Sequence, residues 1–103
     1  MSQFLYFVED AVNKLKEFCK DENGLLPKSF EEYYCGVTND LERRAGEHNA
    51  TFLGAIEANT VQGALDVEAR MHEEGFNTGE QLGNAGDDSK FVYVYKMGRN
   101  TKE

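Results

Sequence analysis

Tyr34, Arg44 and His48 are the residues of this chain whose types and spacing suit chemistry. Arg44 and His48 stand four apart, one helical turn, and so share a face. Tyr34 precedes them in the stretch Tyr33-Tyr34-Cys35-Gly36-Val37-Thr38-Asn39-Asp40-Leu41-Glu42-Arg43-Arg44, which reads as a short strand, a tight turn and the opening of a helix. A phenol, a guanidinium and an imidazole thus converge near the end of one strand. A guanidinium clamps an anion with a planar fork. An imidazole takes or releases a proton near neutrality. A phenol, with a free pKa of about 10, acts as a base only beside positive charge. A stable core needs none of the three. Taken singly, each has a plainer role: Arg44 and His48 as a solvated helix face, Tyr34 as a packed sheet aromatic.

Glu68 is the fourth unusual residue. It follows Leu65 by three positions and Ala64 by four, on the face of a helix that packs inward. Burying an unpaired carboxylate is costly, so Glu68 must be paired, protonated or bound to a cation. The plainer alternative is an edge residue that reaches solvent or an arginine.

These residues need elements to hold them. At 103 residues the chain supports one domain with a modest core. The spacing predicts an amphipathic helix over residues 3–20, capped by Ser2, with Phe4, Leu5, Phe7, Val8, Ala11, Val12, Leu15 and Phe18 on a broad apolar stripe. Its expected role is packing onto a sheet, with a dimer contact as a second option. Asn23-Gly24 and Pro27 mark residues 21–29 as a connector. A strand is expected from Phe30 to Val37, where Gly36 leaves room for a close approach. A helix follows from Asn39 to about Asn49, with Asn39 and Glu42 at capping-box spacing. Thr51–Ile56 reads as a buried strand. Thr60 caps a helix that carries Val61, Ala64, Leu65, Glu68, Met71 and His72 and ends near Gly75. Residues 77–89 form a polar, glycine-rich loop, and Phe91–Met97 a final strand. The expected fold class is α+β: a small central sheet of about three strands flanked by helices.

The stretch from Tyr34 to His48 resembles the second half of the GIY-YIG nuclease signature. Tyr34-Cys35-Gly36 stands where Tyr-Ile-Gly is found, and Thr38, Asp40-Leu41, Arg44 and His48 follow at the family's spacing. Ala64-Leu65-Asp66-Val67-Glu68 resembles the context of the family's metal-binding glutamate. The resemblance spans residues 32–72. The family's first strand, Gly-Ile-Tyr, is missing from its usual place before Tyr34. Val92-Tyr93 in the last strand stands in for it, which implies a circular permutation in which Phe91–Met97 pairs beside Phe30–Val37. Tyr93 is the counterpart by alignment, although Tyr95 shares its strand face; alternatively the first strand is lost and both tyrosines are core. The implied organisation is a single GIY-YIG-like domain over residues 1–103, with an added N-terminal helix in 1–22 and a core in 30–98.

The resemblance implies a metal-dependent endonuclease hydrolysing phosphodiester bonds. Glu68 would hold one Mg²⁺ or Mn²⁺ ion, Arg44 would clamp the phosphate, Tyr34 or Tyr93 would orient or deprotonate the attacking water, and His48 would relay the proton or orient the tyrosine. The implied partner is nucleic acid, DNA first. Formal net charge is −8, from 11 Lys and Arg against 19 Asp and Glu, which opposes nonspecific attraction to phosphates. It favours the rival reading, a catalytically inactive acidic module of the same fold that binds a protein partner or a second copy. His72 reads as a solvent-edge residue. Cys19 and Cys35 make no disulfide framework, and a reducing cytoplasm is the expected compartment. A nucleophilic role for Cys35 is disfavoured, because it alternates to the strand face opposite Tyr34. Residues 2–10 do not resemble a signal peptide, and no apolar run is long enough for a membrane span.

Overall fold

The computed structural model describes residues 8–78 and 90–101. The elements run in the order α1 (Val8–Glu17), β1 (Tyr33–Thr38), α2 (Leu41–His48), β2 (Gly54–Glu57), α3 (Val61–Glu73) and β3 (Phe91–Lys96). The three strands make one antiparallel sheet in the order β1-β3-β2, so the last strand in the chain lies in the middle. The class is α+β, with helices on both faces of the sheet.

Side chains alternate across a strand, and here the alternation sorts two different chemistries. One face carries Cys35, Ile56, Val92 and Val94, which pack under Ala11, Val12 and Leu15 of α1 and Ala64, Val67 and Met71 of α3. This is the apolar core. Fully burying a side chain such as Leu15, at 0% exposure, contributes roughly 1.5–3 kcal/mol. The other face carries Tyr34, Tyr93 and Tyr95, flanked by Leu41, Ala50, Phe52, Ala55 and Met97. The register sets Tyr34 opposite Tyr95, and Gly36 opposite Tyr93. Phe91–Lys96 therefore pairs with the strand that carries Tyr34.

Ion pairs fasten α1 to α3 at the surface. Lys16 meets Glu74 at 2.8 Å and Arg70 meets Glu9 at 2.7 Å. Such pairs, open to solvent in whole or in part, contribute about 0–1 kcal/mol each, so the helices are held by their buried stripe.

Several boundaries differ from those expected. The first helix ends at Glu17, where Phe18, Cys19 and Lys20 donate to carbonyls three residues back and tighten the turn. Phe18 then turns onto Gly54, whose missing side chain leaves space for the ring. Ser2, Phe4, Leu5 and Phe7 lie outside the described residues. The first strand opens at Tyr33 instead of Phe30, because Tyr33 N–H donates to the Phe30 carbonyl in a turn and the Phe30 ring stacks on Phe76 at 4.4 Å.

The second helix is capped by Asp40, not Asn39: the Asp40 carboxylate accepts from Arg43 N–H at 3.1 Å. Asn39 instead accepts from the Arg43 guanidinium at 2.9 Å. The strand expected at 51–56 is Gly54–Glu57, since Phe52 belongs to the tyrosine cluster. Asn77, expected in a loop, bridges to Tyr34 along the outer edge of β1. It receives Cys35 N–H on its carbonyl at 2.8 Å and donates its own N–H to the Tyr33 carbonyl at 2.9 Å. The rest of that loop, 79–89, lies outside the described residues. No helix among the described residues is long and apolar enough to cross a membrane.

Candidate functional site

Thr38 and Asp40 set the site's geometry. Thr38 Oγ1 accepts from Asp40 N–H at 3.1 Å, which closes the turn between β1 and α2, and Asp40 then starts the helix. Two turns along, Arg44 and His48 face back onto the sheet, where Tyr93 waits. Arg44 Nε donates to the Tyr93 hydroxyl at 3.4 Å, and His48 Nε2 lies 2.7 Å from the same oxygen. His48 Nδ1 lies 3.0 Å from the Tyr95 hydroxyl. The imidazole is thus held between two phenols, one at each ring nitrogen. Tyr34 completes the group, its ring centroid 4.9 Å from His48 and 5.2 Å from Tyr95.

Glycine makes this arrangement fit. Gly36 faces Tyr93 across the strand pair, and a Cβ there would fall 2.3 Å from the Tyr93 oxygen. On its other side Phe52 stacks on Tyr93 with centroids 4.1 Å apart. His48 and Tyr93 are each 1% exposed. Arg44 reaches outward, its side chain 35% exposed, and its Nη1 meets Glu47 Oε1 at 2.7 Å.

The electrostatics follow from this layout. The ion pair with Glu47, and the hydrogen bond to Tyr93, hold the Arg44 guanidinium firmly protonated against the opposing effect of burial. The same pair holds the Glu47 carboxyl below its usual range. Burial pushes the Tyr93 phenol up, and Arg44 offsets only part of that. Tyr93 is therefore a neutral hydroxyl at neutral pH, not a resident base.

Tyr34, Arg44, His48 and Tyr93, the residues singled out from sequence, stand together on the tyrosine face. Glu68 belongs to the other layer. It is buried, at 7% exposure, on α3, and its charge helps raise the Cys35 thiol. Among the described residues no group of three or more His, Cys, Asp or Glu side chains gathers as a metal cage. His72 is exposed, 3.0 Å from Thr78 Oγ1. Sequence reasoning left Tyr95 undecided and did not name Phe52 or Glu47. The strand alternation carried the signal for Tyr95, and the three-residue step from Arg44 carried it for Glu47.

Both cysteines are free and buried in the apolar core with α1 and α3. Burial pushes Cys19 up to about 11 and Cys35 well above its ordinary value. A thiol so placed is a poor nucleophile. Iodoacetamide at pH 8 is expected to leave both unmodified in the folded chain and to alkylate both in urea, as read by intact mass. Rapid modification of Cys35 in the folded state would contradict its placement.

Compared with protein-family models, curated proteins and solved structures, the chain shows no match.

Proposed function

We propose that this chain is a metal-dependent endonuclease of the GIY-YIG type, hydrolysing phosphodiester bonds in DNA. The observation that carries the reading is the shared Tyr93 hydroxyl, 3.4 Å from Arg44 Nε and 2.7 Å from His48 Nε2, on the strand beside Tyr34. One partner would satisfy the buried hydroxyl, and a guanidinium together with an imidazole on one oxygen exceeds that need.

Arg44 is the group that meets substrate. A phosphate draws its guanidinium away from Glu47, binds its planar fork and opens the way to the Tyr93 oxygen. Tyr93, protonated at neutral pH, orients the attacking water by hydrogen bonding, and His48 stands behind it to receive a proton. Tyr34 packs on His48 and Tyr95 and holds the imidazole in place. Glu68, the residue that the resemblance assigns to the ion, has the donor chemistry for a hard divalent cation. It lies on α3 in the layer across the sheet from Arg44 and Tyr93, so no step at the Tyr93 oxygen is routed through it.

A second reading has its own support. The net charge of −8 and the burial of Tyr34, Tyr93, Tyr95 and His48 to 3% or less favour an inactive acidic module that keeps the fold and binds a protein or a second copy. One pair of measurements separates the two. For the nuclease, Mg²⁺ or Mn²⁺ supports plasmid nicking at low salt, and the activity is lost in Glu68→Gln. The same ions raise Tm: at ten times Kd a bound ion contributes about 1.4 kcal/mol, roughly 6 °C for a chain of this size. Glu68→Gln removes that shift. No nicking, no shift and a chain stabilised by Glu68→Ala would instead favour the interaction module.

A further inference from the structure

Tyr95 is buried at 0% exposure, and its hydroxyl lies 3.0 Å from His48 Nδ1. Tyr93 lies closer to the other ring nitrogen, at 2.7 Å from Nε2. A neutral imidazole has one N–H donor and one acceptor nitrogen. Arg44 Nε–H can only donate, so it occupies a lone pair of the Tyr93 oxygen, and among the described residues His48 Nε2 is the acceptor that the Tyr93 hydrogen reaches. This donor count sets the directions. Tyr93 O–H donates to Nε2, and Nδ1–H donates to the Tyr95 oxygen. Arg44 Nε–H donates to the Tyr93 oxygen, so the bonds run one way from the surface guanidinium through Tyr93 and His48 to Tyr95.

We infer that Tyr95 is a positioning residue that fixes His48 as the Nδ1–H tautomer and so makes Nε2 the proton acceptor behind Tyr93. Its role in turnover rests on the nuclease reading above; the tautomer does not. In turnover the attacking water gives a proton to the Tyr93 oxygen as the Tyr93 hydrogen passes to Nε2. The water oxygen forms its bond to phosphorus, the bond from phosphorus to the leaving oxygen breaks, and that oxygen takes a proton from solvent. His48 finishes as an imidazolium, its Nδ1–H still held by Tyr95. Water has lost one proton, His48 has gained it, and Tyr93 is unchanged. A neutral phenol raised by burial suits this relay, which never requires a standing phenolate.

The test is the ring ¹⁵N spectrum of His48 at pH 8, with the only other histidine assigned through His72→Gln. The wild-type ring is expected to carry its proton on Nδ1. In Tyr95→Phe that acceptor is gone, and the proton is expected to move to Nε2. Nicking by Tyr95→Phe should then fall about 10²-fold, the scale of a lost general base, with plasmid Kd within about 2-fold of wild type. A wild-type ring protonated on Nε2, or a Tyr95→Phe ring still protonated on Nδ1, overturns the assignment. So does a loss of activity in Tyr95→Phe without a change of tautomer, since that is a packing effect. The wild-type spectrum decides the assignment even if Tyr95→Phe does not fold. An expected spectrum from a protein that does not nick DNA would support the tautomer and overturn the nuclease.

Discussion

Gly36→Ala is expected to lower stability by about 2–3 kcal/mol, the cost of overpacking a filled interior. The added methyl would lie 2.3 Å from the Tyr93 oxygen, 2.6 Å from Cζ and 3.1 Å from Cε2. The far end of a side chain often moves aside cheaply, but this one is held. Phe52 stacks on the ring at 4.1 Å, and His48 holds the hydroxyl at 2.7 Å. Moving the ring breaks the contacts with both Arg44 and His48. The better strand propensity of alanine recovers only about 0.5–1 kcal/mol. Gly46→Ala, on the exposed side of α2 with nothing within 4 Å of the new methyl, is the control. It should stabilise by about 0.5–1 kcal/mol, the ordinary helical gain over glycine. Urea midpoints of the two variants give the answer, and equal shifts would mean that Gly36 is not filled by Tyr93.

Arg44→Ala is expected to lower metal-dependent nicking about 10²–10³-fold, the usual loss when one preorganised charge-stabilising donor is removed. The fold should survive, because the Arg44 side chain is 35% exposed and its ion pair with Glu47 is a surface one. Glu47→Gln carries the opposite sign. It frees the guanidinium for phosphate and should strengthen plasmid binding by about 2-fold, the scale of an exposed helical pair. Glu42→Gln on the same helix removes the same charge without touching Arg44, and so reports the general effect of lowering acidity. Nicking by Arg44→Ala at the wild-type rate would remove the arginine from the reaction. Glu47→Gln and Glu42→Gln binding alike would show that Glu47 acts only as charge.

Local rules were readable where one interaction decides the outcome. Thr60 caps α3 as expected, accepting from Gly63 N–H at 2.9 Å, and Glu68 is buried as its helical position demanded. The four-residue step from Arg44 to His48 did put both on one oxygen. Choices between near-equal neighbours were not readable. Asn39 and Asp40 are both good caps, and the turn closed by Thr38 selected Asp40. Tyr93 and Tyr95 share a face, and only the register shows that Tyr93 faces Gly36 while Tyr95 faces Tyr34. The apolar run at 51–56 satisfied a strand pattern, yet Phe52 found a better partner in the Tyr93 ring than in the sheet core. The layer that holds Glu68 depends on which face α3 covers, a tertiary fact beyond any local pattern.

The position of β3 also matters for synthesis. β1 and β2 both pair with β3, and it is the last of the three to leave the ribosome. Until it emerges, the sheet has two edge strands and no centre, and the apolar sides of Cys35 and Ile56 await Val92 and Val94. At about 5–20 residues per second, translating from Thr38 to Lys96 takes on the order of 3–12 s. Throughout that interval β1 lacks its partner strand, and an unpaired strand-forming segment is the kind of surface that recruits chaperones or seeds aggregation. Neither β1 nor β2 has a strand to pair with before β3, so sheet formation waits on the last strand.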